Sequence, residues 1–156
     1  MANASFKAFI LILAMIQSVS KQDSIAKQNP RILSIPGIVN PSGNIYYWDD
    51  FPLFPEGIKR SFWISGVASG EIRGKHAHYK ESQLLVAING QLHVSVENVN
   101  GEVSFFTLSS PGEGLFIPPL NWVEVKFSSG AVLLGLADRK FDEADYIRDK
   151  KDFRSK

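Results

Sequence analysis

His76 and His78 are two of the chain's three histidines, and they stand two residues apart in the stretch RGKHAHYKESQLLVAING, Arg73 to Gly90. Side chains of a β-strand alternate between faces, so on a strand both imidazoles project side by side from one face. An imidazole titrates near neutrality and can hold a metal or move a proton. The pair is therefore either part of a metal site or an acid/base device. Arg60 and Arg73 could hold an anionic handle such as a diphosphate, because a guanidinium meets phosphate oxygens in bidentate fashion. Gln83 is placed to hydrogen-bond the imidazoles. The third histidine, His93 in the alternating run QLHVSV, reads as an ordinary packed or surface residue.

The elements that must position these groups read as strands. Strand-length β-rich runs recur between turn signals: ILSIPGIV, NIYYWDDF, IKRSFWISGV, the central stretch, QLHVSVENV, EVSFFTL, LFIPP, NWVEVKF and AVLLGLA. Asn89-Gly90 and Asn100-Gly101 are flanked by apolar-rich runs, the strongest local hairpin signal. The pattern predicts an all-β sandwich or barrel. Only the tail differs: FDEADYIRDKKDF, Phe141 to Phe153, predicts a short C-terminal helix N-capped by Asp142, with Tyr146, Ile147 and Phe153 on a thin apolar face. Core packing is the default for Tyr46, Tyr47, Phe62, Trp63 and Trp122; Trp122 is also a candidate for stacking against a substrate.

With 156 residues, 44% of them hydrophobic, the chain fits one globular domain. Seventeen basic residues against 16 acidic ones give a net charge of +1, so no basic surface argues for nucleic acid. The absence of cysteine excludes disulfides, thiolate ligands and a cysteine nucleophile.

Residues 1–30 form an apolar extension and linker, with the domain proper expected over 31–156. Lys7 precedes the apolar run AFILILAMI, which is followed by small residues. This reads either as a weak secretory signal or as an N-terminal helix docking on the body or on a second subunit, or the start is assigned too far upstream. The run falls well short of the roughly 20 residues a membrane-spanning helix needs.

The histidine spacing resembles the first metal motif of cupins. Gly70, His76, His78 and Gly90 fall at its offsets, but Gln83 stands in place of the carboxylate ligand. In the second motif Gly112 and Pro118 fit, while Leu120 and Val123 replace its glycine and histidine. A divalent metal ordinarily takes at least three protein ligands, so the sequence argues against a metal and for free imidazoles acting on protons. Such a base can remove a proton beside a ketone and return it to the neighbouring carbon, which moves the carbonyl by one position without a cofactor.

RGKHAHYKESQLLVAING, GLFIPPLNW and ADYIRDKKDF together resemble the sugar 3,4-ketoisomerase family of cupins, the WxcM-like proteins, over roughly Arg31 to Phe153. The resemblance implies a cupin jelly-roll barrel and a homodimer. It also implies a cytoplasmic enzyme that shifts the ketone of a dTDP-linked 4-keto-6-deoxyhexose from C4 to C3 without metal. It implies His76 as the base, with His78 orienting the substrate or sharing the proton shuttle, and Arg60 and Arg73 near the ligand. Phe62 and Trp63 stand where family members carry tyrosine. A sugar-nucleotide-binding cupin without catalysis is the second reading, and a metal-dependent cupin enzyme the third.

Overall fold

A computed structural model describes residues 29–49 and 53–156; the N-terminal apolar run and most of its linker lie outside the described residues. The strands are β1 (Arg31–Ser34), β2 (Gly37–Asn40), β3 (Gly43–Tyr46), β4 (Arg60–Ile64), β5 (Ile72–His78), β6 (Gln83–Asn89), β7 (Leu92–Asn98), β8 (Val103–Leu108), β9 (Glu113–Ile117), β10 (Asn121–Phe127), β11 (Val132–Ala137) and β12 (Tyr146–Ile147). Two antiparallel five-stranded sheets, ordered β1-β9-β6-β11-β4 and β12-β5-β10-β7-β8, form the body, and β2 pairs with β3 as a separate hairpin. This is the jelly-roll architecture expected from the sequence.

The period-two pattern explains the core. Leu92, Val94 and Val96 of β7 and Val123, Val125 and Phe127 of β10 point between the sheets and are buried, while His93 is exposed on the opposite face. β6 is buried on both faces: Leu85 and Ala87 join the inner core, and Leu84 and Val86 pack outward against Ile35, Phe54 and Phe116. Trp63 departs from the expectation of core packing. It is 72% exposed, because β4 is an edge strand and Trp63 alternates with the inward-facing Arg60, Phe62 and Ile64. Tyr47 is exposed as well.

Two local expectations are corrected. Asn89-Gly90 closes no hairpin: β6 and β7 belong to different sheets, and the turn carries the chain across the sandwich. Gly90 has φ +71°, and a Cβ there would lie 2.8 Å from Ala131 Cα, so the corner packs against a neighbouring turn instead of pairing its flanking strands. Asn100-Gly101, by contrast, does join paired strands, β7 and β8.

The tail is not one helix. Asp142 caps a single 3-10 turn, Glu143–Asp145, after which Tyr146 and Ile147 extend to pair with His78 and Ala77 of β5. A helix, α1 (Lys150–Arg154), then starts on a second cap, Asp149, whose side chain accepts from the amides of Lys151 and Asp152. Edge pairing on β5 outcompetes helix propagation through the aromatic and β-branched pair Tyr146-Ile147. The fully buried Phe153 plugs the outer face of the histidine-bearing sheet against Ala77, Trp122 and Ile147. Arg154 donates twice to the buried Glu97 and Lys150 pairs with it, which clamps α1 to β7. No helix among the described residues is long and apolar enough to cross a membrane.

Candidate active site

A cavity of about 210 Å³ opens between the two sheets at the histidine end. One wall comes from β4, β6 and β11, with Arg60, Phe62, Ile64, Gln83, Leu85 and Leu133; the other comes from β5, β10 and β12, with Arg73, Gly74, His76, Val123, Val125 and Tyr146. The floor is apolar and the polar groups gather at one side, as in small-molecule sites generally.

His76 and His78 share a face as their spacing predicts, with ring centroids 5.0 Å apart in an edge-on arrangement. Their environments differ. His76 is half-buried and lines the cavity. Burial holds its pKa below the ordinary histidine value, the positive charges of Arg148 and Arg60 add to this, and a hydrogen bond to the Gly74 backbone partly offsets it. A neutral, accessible imidazole is the state a general base needs.

His78 is 6% exposed and stands behind the lining. Burial first, then the neighbouring His76 and the arginines, lower its pKa to about 3, so it is neutral. The donors and acceptors around it fit one tautomer. Nδ1–H donates to Asp145 Oδ2 at 3.2 Å, and Nε2 accepts from Gln83 Nε2 at 3.3 Å. The second amide hydrogen of Gln83 goes to Glu81 Oε1 at 2.6 Å, and the same oxygen accepts from Arg60 Nη2 at 2.6 Å. A chain of bonds thus runs from Asp145 through His78, Gln83 and Glu81 to Arg60, with both amide hydrogens of Gln83 matched to acceptors. Burial raises the carboxyl pKa of both Glu81 and Asp145.

Arg73 is exposed at the cavity mouth, whereas Arg60 is engaged by Glu81 and approaches the Tyr146 hydroxyl at 3.4 Å through both terminal nitrogens. Trp122 lies on the far side of its strand, its ring tilted against Phe153 with centroids 5.8 Å apart and its indole N–H bonded to Glu124, and does not line the cavity. The structure thus brings together His76, Arg60, Arg73 and Gln83, backs them with His78, and sets Trp122 apart.

Glu81, Asp145 and Tyr146 escaped the sequence reading. The sequence pattern puts Tyr146 on the apolar face of a helix; its ring instead sits 5.0 Å from that of His76 and 4.2 Å from that of His78. The signal for it and for Asp145 was the distinctive ADYIR block, which propensity alone reads as helix.

These residues do not fit a metal. Both His78 nitrogens and the Gln83 amide are committed, Val123 pairs across from His76 with no donor atom, and no group of three or more His, Cys, Asp or Glu among the described residues is arranged to hold one.

Fold and site together define a cupin with an imidazole, a phenol and two guanidinium groups facing one cavity. Residues 28–156 match the family described as FdtA: WxcM-like, C-terminal. The chain is 34% identical over 125 residues to TDP-4-oxo-6-deoxy-alpha-D-glucose-3,4-oxoisomerase of Aneurinibacillus thermoaerophilus, covering 80% of this chain and 89% of that protein. Its structure resembles QdtA, a sugar 3,4-ketoisomerase from Thermoanaerobacterium thermosaccharolyticum solved in complex with TDP, with TM-score 0.77 and 32% identity over 83% of this chain and 94% of that one. It likewise resembles WlaRB, the TDP-quinovose 3,4-ketoisomerase of Campylobacter jejuni, with TM-score 0.76 and 31% identity over 83% and 99% of the two chains. The chain belongs to the WxcM-like sugar 3,4-ketoisomerase family, a family of isomerases.

Proposed function

We propose that this protein moves the ketone of a dTDP-linked 4-keto-6-deoxyhexose from C4 to C3, with His76 as the base. The observation that carries the reading is a neutral imidazole, His76, facing an apolar cavity beside a free guanidinium, Arg73, and a phenol, Tyr146. His76 takes the proton from C3, the enediolate forms, and the imidazolium returns a proton to C4. His78 lends no proton; kept neutral by burial and held in one tautomer by Asp145, it fixes Gln83, and Gln83 and Arg60 position the sugar's oxygens. At about 210 Å³ the cavity is smaller than the roughly 300–1,000 Å³ of drug-sized sites, so it takes the sugar ring and leaves the nucleotide at the mouth, its diphosphate on Arg73.

Proton NMR in deuterated water tests this. With dTDP-4-keto-6-deoxyglucose, deuterium should enter C3 and the 3-keto isomer accumulate, and His76→Asn should abolish both. Wild-type protein that does neither is no ketoisomerase.

The enzyme acts as a homodimer in the cytoplasm, where sugar nucleotides are found. The dimer reading is supported by the β2–β3 hairpin, which leaves Ile38, Val39 and Ile45 more than half exposed. A monomeric mass by light scattering at micromolar concentration would refute it.

A further inference from the structure

Moving a ketone from C4 to C3 relocates two hydrogens. One passes from C3 to C4 and the other from the C3 hydroxyl to the C4 oxygen. Each move needs a group that both accepts and donates a proton. His76 serves the carbons. The oxygens need a second carrier, and the cavity lining offers few candidates.

Arg60 and Arg73 are donors only. The amide hydrogens of Gln83 are committed to Glu81 and His78. The other described lining residues are apolar except Tyr146, the one hydroxyl among them. We propose that Tyr146 is the oxygen-to-oxygen proton carrier of this reaction, an inference that rests on the ketoisomerase reading above.

The geometry supports it in three ways. First, β12 pairs Tyr146 with His78, which sends the phenol into the cavity from the histidine side, with its ring 5.0 Å from that of His76. Second, the ring is held in place: the Arg148 guanidinium lies over it at 4.3 Å, is itself ion-paired with Glu143, and Phe141 packs 5.6 Å away. Third, the phenol oxygen faces two Arg60 nitrogens at 3.4 Å, and Arg60 is anchored by Glu81. The oxygen accepts from Arg60, so its own hydrogen is free to point at a sugar oxygen.

The atoms balance. As His76 takes the C3 proton, the C–H electron pair becomes the C3–C4 double bond, the carbonyl pair moves to the C4 oxygen, and that oxygen takes the Tyr146 proton. The phenolate then removes the proton of the C3 hydroxyl, C3=O forms, and the double-bond pair takes the imidazolium proton at C4. Both residues end in their starting states, and no oxidant or reductant is consumed.

The test is Tyr146→Phe, which removes one oxygen and keeps the ring packing. Deuterium entry at C3 and formation of 3-keto product are followed together by NMR on dTDP-4-keto-6-deoxyglucose. Product formation should fall about 100-fold or more, within the range for a lost general acid/base, while exchange at C3 falls less. Exchange events per product should therefore rise. Unchanged product formation overturns the proposal, as does an equal fall in both rates, which is the mark of a merely structural residue. Wild-type protein inactive in both readouts overturns the ketoisomerase reading, and this proposal with it.

Discussion

Arg73 and His76 are three residues apart on β5, yet both face the same cavity. On a regular strand an odd spacing sends side chains to opposite faces. A β-bulge resolves this: Val123 of β10 pairs with His76 and Glu124 with Gly74, so Lys75 is the extra residue. Gly74 at φ +89° and Lys75 at φ +59° make the kink.

The bulge makes Gly74 a sensitive position. A Cβ there would lie 2.7 Å from the Val123 carbonyl oxygen, in a backbone region that side chains rarely adopt. Gly74→Ala is expected to cost about 2 kcal/mol of stability from the backbone strain and to lower kcat by about 100-fold by displacing His76. Urea melts and steady-state kinetics check this, and a wild-type kcat would refute the positioning role.

The two arginines should separate kinetically. Arg73→Ala removes an exposed guanidinium at the mouth and should raise KM at least tenfold with little change in kcat. Arg60→Ala leaves the buried Glu81 without its cation, with only the Gln83 amide still bonded to it; it should cost about 3 kcal/mol of stability and lower kcat. Identical kinetic signatures would contradict the assignment.

Asp145→Asn tests the bond chain behind the cavity. An amide in place of the carboxylate can present N–H to His78 Nδ1 and favour the other tautomer, whose Nε2–H then meets the Gln83 amide donor to donor. The result should be a drop of about tenfold in kcat with KM nearly unchanged, equivalent to about 1.4 kcal/mol. Nitrogen-15 NMR of the imidazoles should show the tautomer exchange, and its absence would remove Asp145 from the positioning role.

Acid should act in one direction. His76 is lowered from the ordinary value of 6.5, and His78 is lowered to about 3, with burial the first cause in both. The base works neutral, so kcat/KM should hold its plateau down past pH 6.5 and bend only below it. For stability, the unfolded chain binds protons at these histidines near pH 6.5 and the folded chain does not. Their contribution is therefore full above pH 6.5 and is lost as pH falls toward 3, at up to about 1.4 kcal/mol per pH unit for each group. Glu81 and Asp145, raised by burial, pull the other way in the acid range. Urea midpoints should fall between pH 7.5 and 5.5, and a constant midpoint would contradict the burial of both imidazoles.

Much of this was legible in the residues. Alternation in QLHVSVENV and NWVEVKF specified inward Val94, Val96, Val123 and Val125, and the two-residue histidine spacing placed both imidazoles on one face. The ADYIR block helped carry the family resemblance. Asn89-Gly90 misled because a turn signal reports that the chain turns, and the partner sheet of each strand is set by packing over long separations.

By itself, then, the sequence determined the strand content and the shared face of the histidine pair, because both are encoded within a few residues of one another. The division of labour was decided by tertiary structure. Which imidazole meets the cavity, which arginine is free, and whether Tyr146 belongs to a helix or a site depend on β12 pairing with β5 and on the bulge opposite Val123. Burial and hydrogen-bond partners arise only when distant segments meet, so a spacing of two residues could place His76 and His78 together but could not tell them apart.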